Sequence, residues 1–181
     1  DISEREANND DQICGVTRAG EVECWSRVMT AEPVRTVVEG LHGAVKIAYS
    51  GSHGCALLRE GTVVCWGQNA LGQLGNGTAV PGQWPAGRPV AGIRRATAVT
   101  VGLDHSCALI DDGSLWCWGS NGGICPRSLD CSDRTEGEDP TDRRALCGQL
   151  GNGSTADSVV PVRVLLDELV LSADAGDLFT C

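Results

Sequence analysis

Three pairs of cysteines share one spacing, and that spacing limits what this chain can fold into. Cys14 and Cys24, Cys55 and Cys65, and Cys107 and Cys117 each lie ten positions apart, inside ICGVTRAGEVECWS, GCALLREGTVVCWG and SCALIDDGSLWCWG. Self-similarity of this kind marks a repeat architecture. In each unit a Gly follows the first Cys by six positions (Gly20, Gly61, Gly113), with apolar or β-branched residues on both sides. That is the pattern of a β-hairpin.

A three-residue connection whose last residue is a left-handed Gly puts the turns at Arg18-Ala19-Gly20, Arg59-Glu60-Gly61 and Asp111-Asp112-Gly113. Each first Cys then falls directly opposite its partner, where Cα atoms are about 4.5 to 5.5 Å apart and a disulfide fits. One turn register therefore predicts three bridges. Zinc needs close Cys pairs or a Cys and His set, and a single hairpin offers two sulfurs. Three disulfides imply an oxidising compartment, extracellular or at a cell surface.

The same register sorts side chains onto faces. In the third hairpin Cys107, Leu109, Leu115 and Cys117 share one face, and Ala108, Ile110, Trp116 and Trp118 share the other. Both are apolar, as in the second hairpin, so each small sheet needs a neighbour on either side. The first hairpin carries Thr17, Glu21 and Glu23 beside Trp25, the polar face expected of an outer, less covered repeat.

Other landmarks recur in step. GLHGAVKIAYS (residues 40–50) matches GIRRATAVTVG (92–102) at the offset that relates Cys55 to Cys107, and Pro-led β segments begin at Pro33, Pro89 and Pro161. Four short strands per repeat of about 50 residues is the pattern of a propeller blade. VRVLLDELVL (162–171) is the one ambiguous run. Relative to the second unit, the first lacks GQNALGQLGNG and the third holds an insertion at 122–145. The chain thus divides into an acidic tail (1–11), a partial first repeat (12–39), a second (40–91), a third (92–166) and the start of a fourth (167–181). The expected fold is all-β, a propeller fragment of about three and a half four-stranded blades.

Charge narrows the partners. Fourteen Lys and Arg against 24 Asp and Glu give a net charge of -10, the wrong sign for a nucleic acid or an anionic lipid surface. The excess acid lies in residues 1–11, 122–145 and 157–177, so it reads as two solvated ends and one loop. No apolar run approaches the roughly 20 residues of a membrane-spanning helix. The chain opens at Asp1 with no Met and no signal-like segment, as expected of a processed or excised soluble fragment.

GSHGCALLREGTVVCWGQNALGQLGNGT and GLDHSCALIDDGSLWCWGSN, continuing at CGQLGNGST, resemble the repeats of the regulator of chromosome condensation family, in the Cys-containing form of bacterial secreted and surface proteins. The resemblance covers about residues 12–181. It implies a propeller, usually seven-bladed, that binds proteins through loops on its faces. Some eukaryotic members are guanine-nucleotide exchange factors for a small GTPase, and secreted bacterial members include inhibitors that cap β-lactamase active sites. The departures are Ser26 in place of the Gly seen at Gly67 and Gly119, Gln12 and Phe179 in place of His53 and His105, and the insertion.

Candidate chemistry is sparse. Gly72-Gln73-Leu74-Gly75-Asn76-Gly77 lacks the Lys and Ser/Thr of a phosphate loop and recurs at 148–153, so it reads as scaffolding. His53 and His105, with Ser52, Ser106 and Asp104 nearby, are repeat positions as well, which favours structure over a catalytic triad. The insertion carries Cys125, Cys131 and Cys147 among several acids. It lacks the spacing of a calcium loop, and three cysteines leave one to bridge elsewhere, as to Cys181, or to stay free. Asn76-Gly77-Thr78 and Asn152-Gly153-Ser154 are formal glycosylation acceptors that turn chemistry explains. For contact with a partner the candidates are Trp84, on a Pro and Gly-rich loop, and Asp133, Glu136, Glu138 and Asp139 of the insertion. The expectation is a non-enzymatic, extracellular, bacterial protein-binding module with no cofactor or metal, whose other neighbours are the remaining blades. The alternative is an intracellular regulator of a small GTPase.

Overall fold

The computed structural model describes residues 2–3, 12–26, 34–122 and 148–175. Twelve strands run through them: β1 (Ile2–Ser3), β2 (Gln12–Val16), β3 (Val22–Ser26), β4 (Val34–Val37), β5 (Ala44–Tyr49), β6 (His53–Leu58), β7 (Val63–Gln68), β8 (Gln83–Trp84), β9 (Ala96–Val101), β10 (His105–Ile110), β11 (Leu115–Gly119) and β12 (Ser158–Arg163). They pair as three four-stranded sheets, each in plain chain order. Three antiparallel meanders are three propeller blades. Among the described residues no helix is long and apolar enough to cross a membrane.

The hairpins form in the expected register, with Cys14 opposite Cys24, Cys55 opposite Cys65 and Cys107 opposite Cys117. Gly20, Gly61 and Gly113 close the turns at φ of 78°, 82° and 80°. All three cysteine pairs are bonded, with Cα separations of 4.0, 4.0 and 4.1 Å. These distances fall below the expected range. Thr17, Leu58 and Ile110 donate to Glu21, Thr62 and Ser114, so three residues further along each pair sits at the closer, non-hydrogen-bonded position of its ladder.

The outermost strands differ from expectation in the second blade. Val34–Val37 forms β4 and Pro161 lies within β12, whereas Pro89-Val90 forms no strand and the outer strand is β8, within AVPGQWPAG. The repeat still holds at one bond: Val38, Val90 and Val164 donate to the carbonyls of Val22, Val63 and Leu115 at 2.8–2.9 Å. Between Trp84 and Val90 the chain leaves the sheet edge, and Ala86 packs against the core between the first and second blades. The ambiguous run at 162–171 finishes β12 at Arg163 and continues as a connector without helix.

Each blade turns its disulfide forward and its Trp backward. Cys14, Val22 and Cys24 pack on Ala56, Val64 and Trp66 of the next blade; Cys55, Leu57, Val63 and Cys65 pack on Ala108 and Trp118. Cys107, Leu109, Leu115 and Cys117 gather Leu150, Val170 and Ala173. Burying a mostly apolar face on both sides of a blade drives this stacking. The backward face of the first blade is polar, as read from its sequence, and there Arg35 pairs with Glu23. Backbone bonds latch the seams: Ala44, Ala96 and Val170 donate to the carbonyls of Gly20, Gly61 and Gly113 at 2.9–3.0 Å. A Cβ on Gly61 would come 2.8 Å from Arg95 Cα, so the latch needs a turn without a side chain.

Candidate binding surface

Alternation of strands gives the stack two ends. The hairpin turns and the connectors between blades lie at the turn end. The loops between β5 and β6, β7 and β8, β9 and β10, and β11 and β12 lie at the loop end.

Asn69 and Asn121 organise the loop end, and both are fully buried. The Asn69 amide donates to the Thr78 carbonyl (3.0 Å) and accepts from Leu74 N (3.1 Å). Asn121 donates to the carbonyls of Ser154 (2.8 Å) and Ala156 (3.1 Å) and accepts from Leu150 N (2.8 Å). The recurring Gly-Gln-Leu-Gly-Asn-Gly segments are therefore loops wrapped around a buried amide. The signal in the sequence is their shared position, three residues after Trp66 and Trp118.

The insertion leaves and re-enters this end through one neck, where Gly148 donates to the Asn121 carbonyl at 2.8 Å. In the second blade the corresponding neck, Gly72 to Asn69 at 3.5 Å, encloses Ala70 and Leu71. Long insertion at such a closed neck adds little to the entropy of loop closure. Asp133, Glu136, Glu138 and Asp139, with Cys125, Cys131, Cys147 and Cys181, lie outside the described residues. Trp84 stands on β8, paired with Gly67, so it shares the loop end with the neck. The residue is 42% exposed, and its Nε1 donates to the Val80 carbonyl at 3.1 Å. That bond fixes the ring without hiding it.

Two of the three histidines are walled in. His53 and His105 are fully buried. Ser106 donates its hydroxyl to the Gln73 carbonyl (2.9 Å), so its oxygen accepts from His53 Nε2 (2.9 Å). Trp118 Nε1 also donates to Gln73 O (2.9 Å), and the Gln73 amide reaches Asp104 (3.2 Å). This cluster fills the seam between the second and third blades. Among the described residues no group of three or more His, Cys, Asp or Glu is placed to hold a metal.

Gln12, standing where His53 and His105 do, has a different neighbour. Its side chain meets the Tyr49 hydroxyl at 2.5 Å, and Tyr49 stacks on Trp66 with ring centroids 6.5 Å apart. Where Ser106 stands in the third blade the second has Gly54, and a Cβ there would fall 2.5 Å from Trp66 Cζ2. An aromatic seam thus replaces the polar one, and Gln12 fits it.

Residues 44–73 and 96–122 match the family model of the regulator of chromosome condensation (RCC1) repeat. These two stretches are similar to RCC1 repeats. Regulator of chromosome condensation of Drosophila melanogaster is 25% identical over 173 residues, covering 93% of this chain and 28% of its own length. Human WBSCR16 superposes with a TM-score of 0.63 at 21% identity, over 98% of this chain and 42% of that one. Yeast RCC1 (Prp20), solved with Kap60 bound, gives 0.57 at 20% identity, over 96% and 42%. The structural likenesses show the fold, part of a propeller.

Proposed function

We propose that the chain is part of a non-enzymatic, protein-binding RCC1-type propeller that works in an oxidising compartment, extracellular or at a bacterial cell surface. The three bridged hairpins carry this reading. Their sulfurs lie inside the blade seams, with Cys14, Cys55, Cys107 and Cys117 fully buried, so the core is built around bonds that a reducing cytosol opposes. Binding is supported by yeast RCC1, which holds Kap60, and by His53, whose ring is committed to a blade seam. The contacts assigned are Trp84 and, in the insertion, Asp133, Glu136, Glu138 and Asp139. The repeat boundaries assigned are 12–39, 40–91, 92–166 and a fourth beginning at 167, with the remaining blades as structural partners and no cofactor.

Non-reducing peptide mapping of the natively produced, full-length protein tests the compartment. Cys55 linked to Cys65 and Cys107 linked to Cys117 is the expected result, and four free thiols would sink it. Similarity to the Drosophila regulator of chromosome condensation favours one other reading, an intracellular regulator of a small GTPase. That reading predicts free thiols together with faster nucleotide release from such a GTPase.

A further inference from the structure

The outer edges of the three sheets differ in whether another strand could join them. β8 is two residues long, and β12 carries Pro161 and a register shift between its pairs with Cys117 and Gly119. Short length, Pro and bulges are devices that keep a sheet edge from pairing. β4 has none of them. It runs in regular register from Val34 to Val37 beside β3 and ends its sheet. Its one charge, Arg35, is turned onto Glu23 of β3, with Nε donating at 2.8 Å. Val38 donates inward to the Val22 carbonyl at 2.9 Å. Alternation then points the N–H and C=O of Thr36 inward as well, and turns those of Arg35 and Val37 outward.

Blade stacking leaves this edge open on both sides. Thr36 shares the forward face with Cys24; the second blade already lies against that face, and Val34 and Thr36 are still exposed. On the backward side Arg163 of the third blade holds the place of Val37, opposite Trp116 as Val37 is opposite Glu23. Arg163 is exposed with the second blade in place behind it, so a blade stacked the same way behind the first would leave Val37 open.

A second, antiparallel β4 fits this edge. Centred on Thr36, two such strands set Arg35 of each copy opposite Val37 of the other, and each of those pairs exchanges both of its N–H···O=C bonds. Thr36 then faces Thr36 of the second copy at a close position, a favourable cross-strand pair, and Val34, 54% exposed, meets Val38 of the second copy. Glu39, exposed just past the strand, stands diagonally across from Arg35 of the second copy, so opposite charges come within reach twice across the two-fold axis. Slipping the register to set Arg35 on Arg35 would oppose like charges. An isologous contact of this kind closes after two copies.

We propose that the chain forms a two-fold dimer by pairing β4 edge to edge with a second copy. This goes beyond the protein-binding reading and does not rest on it. The test is sedimentation velocity of the full-length protein over a concentration series. A concentration-dependent dimer is expected, weakened at least about tenfold by V37P, which removes one outward N–H from each copy. T36K or T36E alone should weaken it similarly by opposing like charges, and mixing T36K with T36E should restore it. All three variants change exposed side chains, and an unchanged circular dichroism spectrum confirms that they fold; should V37P unfold, the charge pair decides alone. A protein that is monomeric at every concentration, a dimer indifferent to these variants, or a T36K and T36E mixture that stays monomeric would overturn the proposal. A monomer that instead binds an extended peptide along β4 would overturn it too, by showing another protein as the occupant.

Discussion

Asn69 holds both ends of its loop with a single side chain, so its loss has a definite cost. Asn69→Ala strands the Leu74 amide and the Thr78 carbonyl, and unsatisfied groups in a buried loop destabilise by about 2 kcal/mol. Urea denaturation should show that loss, with no comparable effect from Asn76→Ala at the exposed turn. Two carboxylates set an acid limit. The hydrogen bond from Arg35 holds Glu23 below the usual carboxylate range, and the Ser114 hydroxyl does the same for Asp112. Both groups are more acidic folded than unfolded, so their contribution is complete above the unfolded values, about 4 to 4.5, and is lost as pH falls through the folded ones. The urea midpoint should drop between pH 5 and pH 3 (about the range of those values), and E23Q/D112N should flatten that drop. A slope unchanged in the double variant would exclude both groups as its source.

Within each blade the hairpin was the legible element, because Gly at a left-handed turn and Cys at a fixed offset leave one register. The outer strand was less so. Pro89 resembles Pro33 and Pro161 in sequence, yet the segment between Trp84 and Val90 swings off the sheet to pack Ala86 between blades, a tertiary contact that no local pattern records. Trp84 was read as a loop residue because a two-residue strand has no periodicity to detect. The bridges should contribute beyond the ladder they join. Replacing Cys107 and Cys117 together with Ala should cost about 2 to 3 kcal/mol, a denaturation midpoint shift with little change in circular dichroism. The insertion should behave oppositely. Exchanging residues 122–147 for Ala-Leu, the dipeptide that fills the second blade's neck, should keep the fold because Gly148 and Asn121 already meet there. A collapsed spectrum would show that the blade depends on the insertion.

Across the whole molecule the blades look interchangeable in sequence and are not. The seam between the first two is filled by Tyr49 on Trp66 with Gly54 left bare, and the next by His53, Ser106, the Gln73 carbonyl and Trp118. Sequence alone marked Gln12 as a departure and gave Gly54 no role, since the partner of Gln12 lies 37 residues away on another blade. Matched seams of this kind tie each blade to its successor, which opposes misordered stacking in a repeat array. Exchanging the two residues should therefore fail on both sides. Gly54→Ser drives a Cβ into the Trp66 ring and should cost about 2 kcal/mol or more. Ser106→Gly takes a partner from His53 Nε2 and from the Gln73 carbonyl and should cost about 2 kcal/mol. The seams are separate, so the double exchange should lose about the sum in a denaturant titration, and a neutral double exchange would show that the seams do not specify blade order.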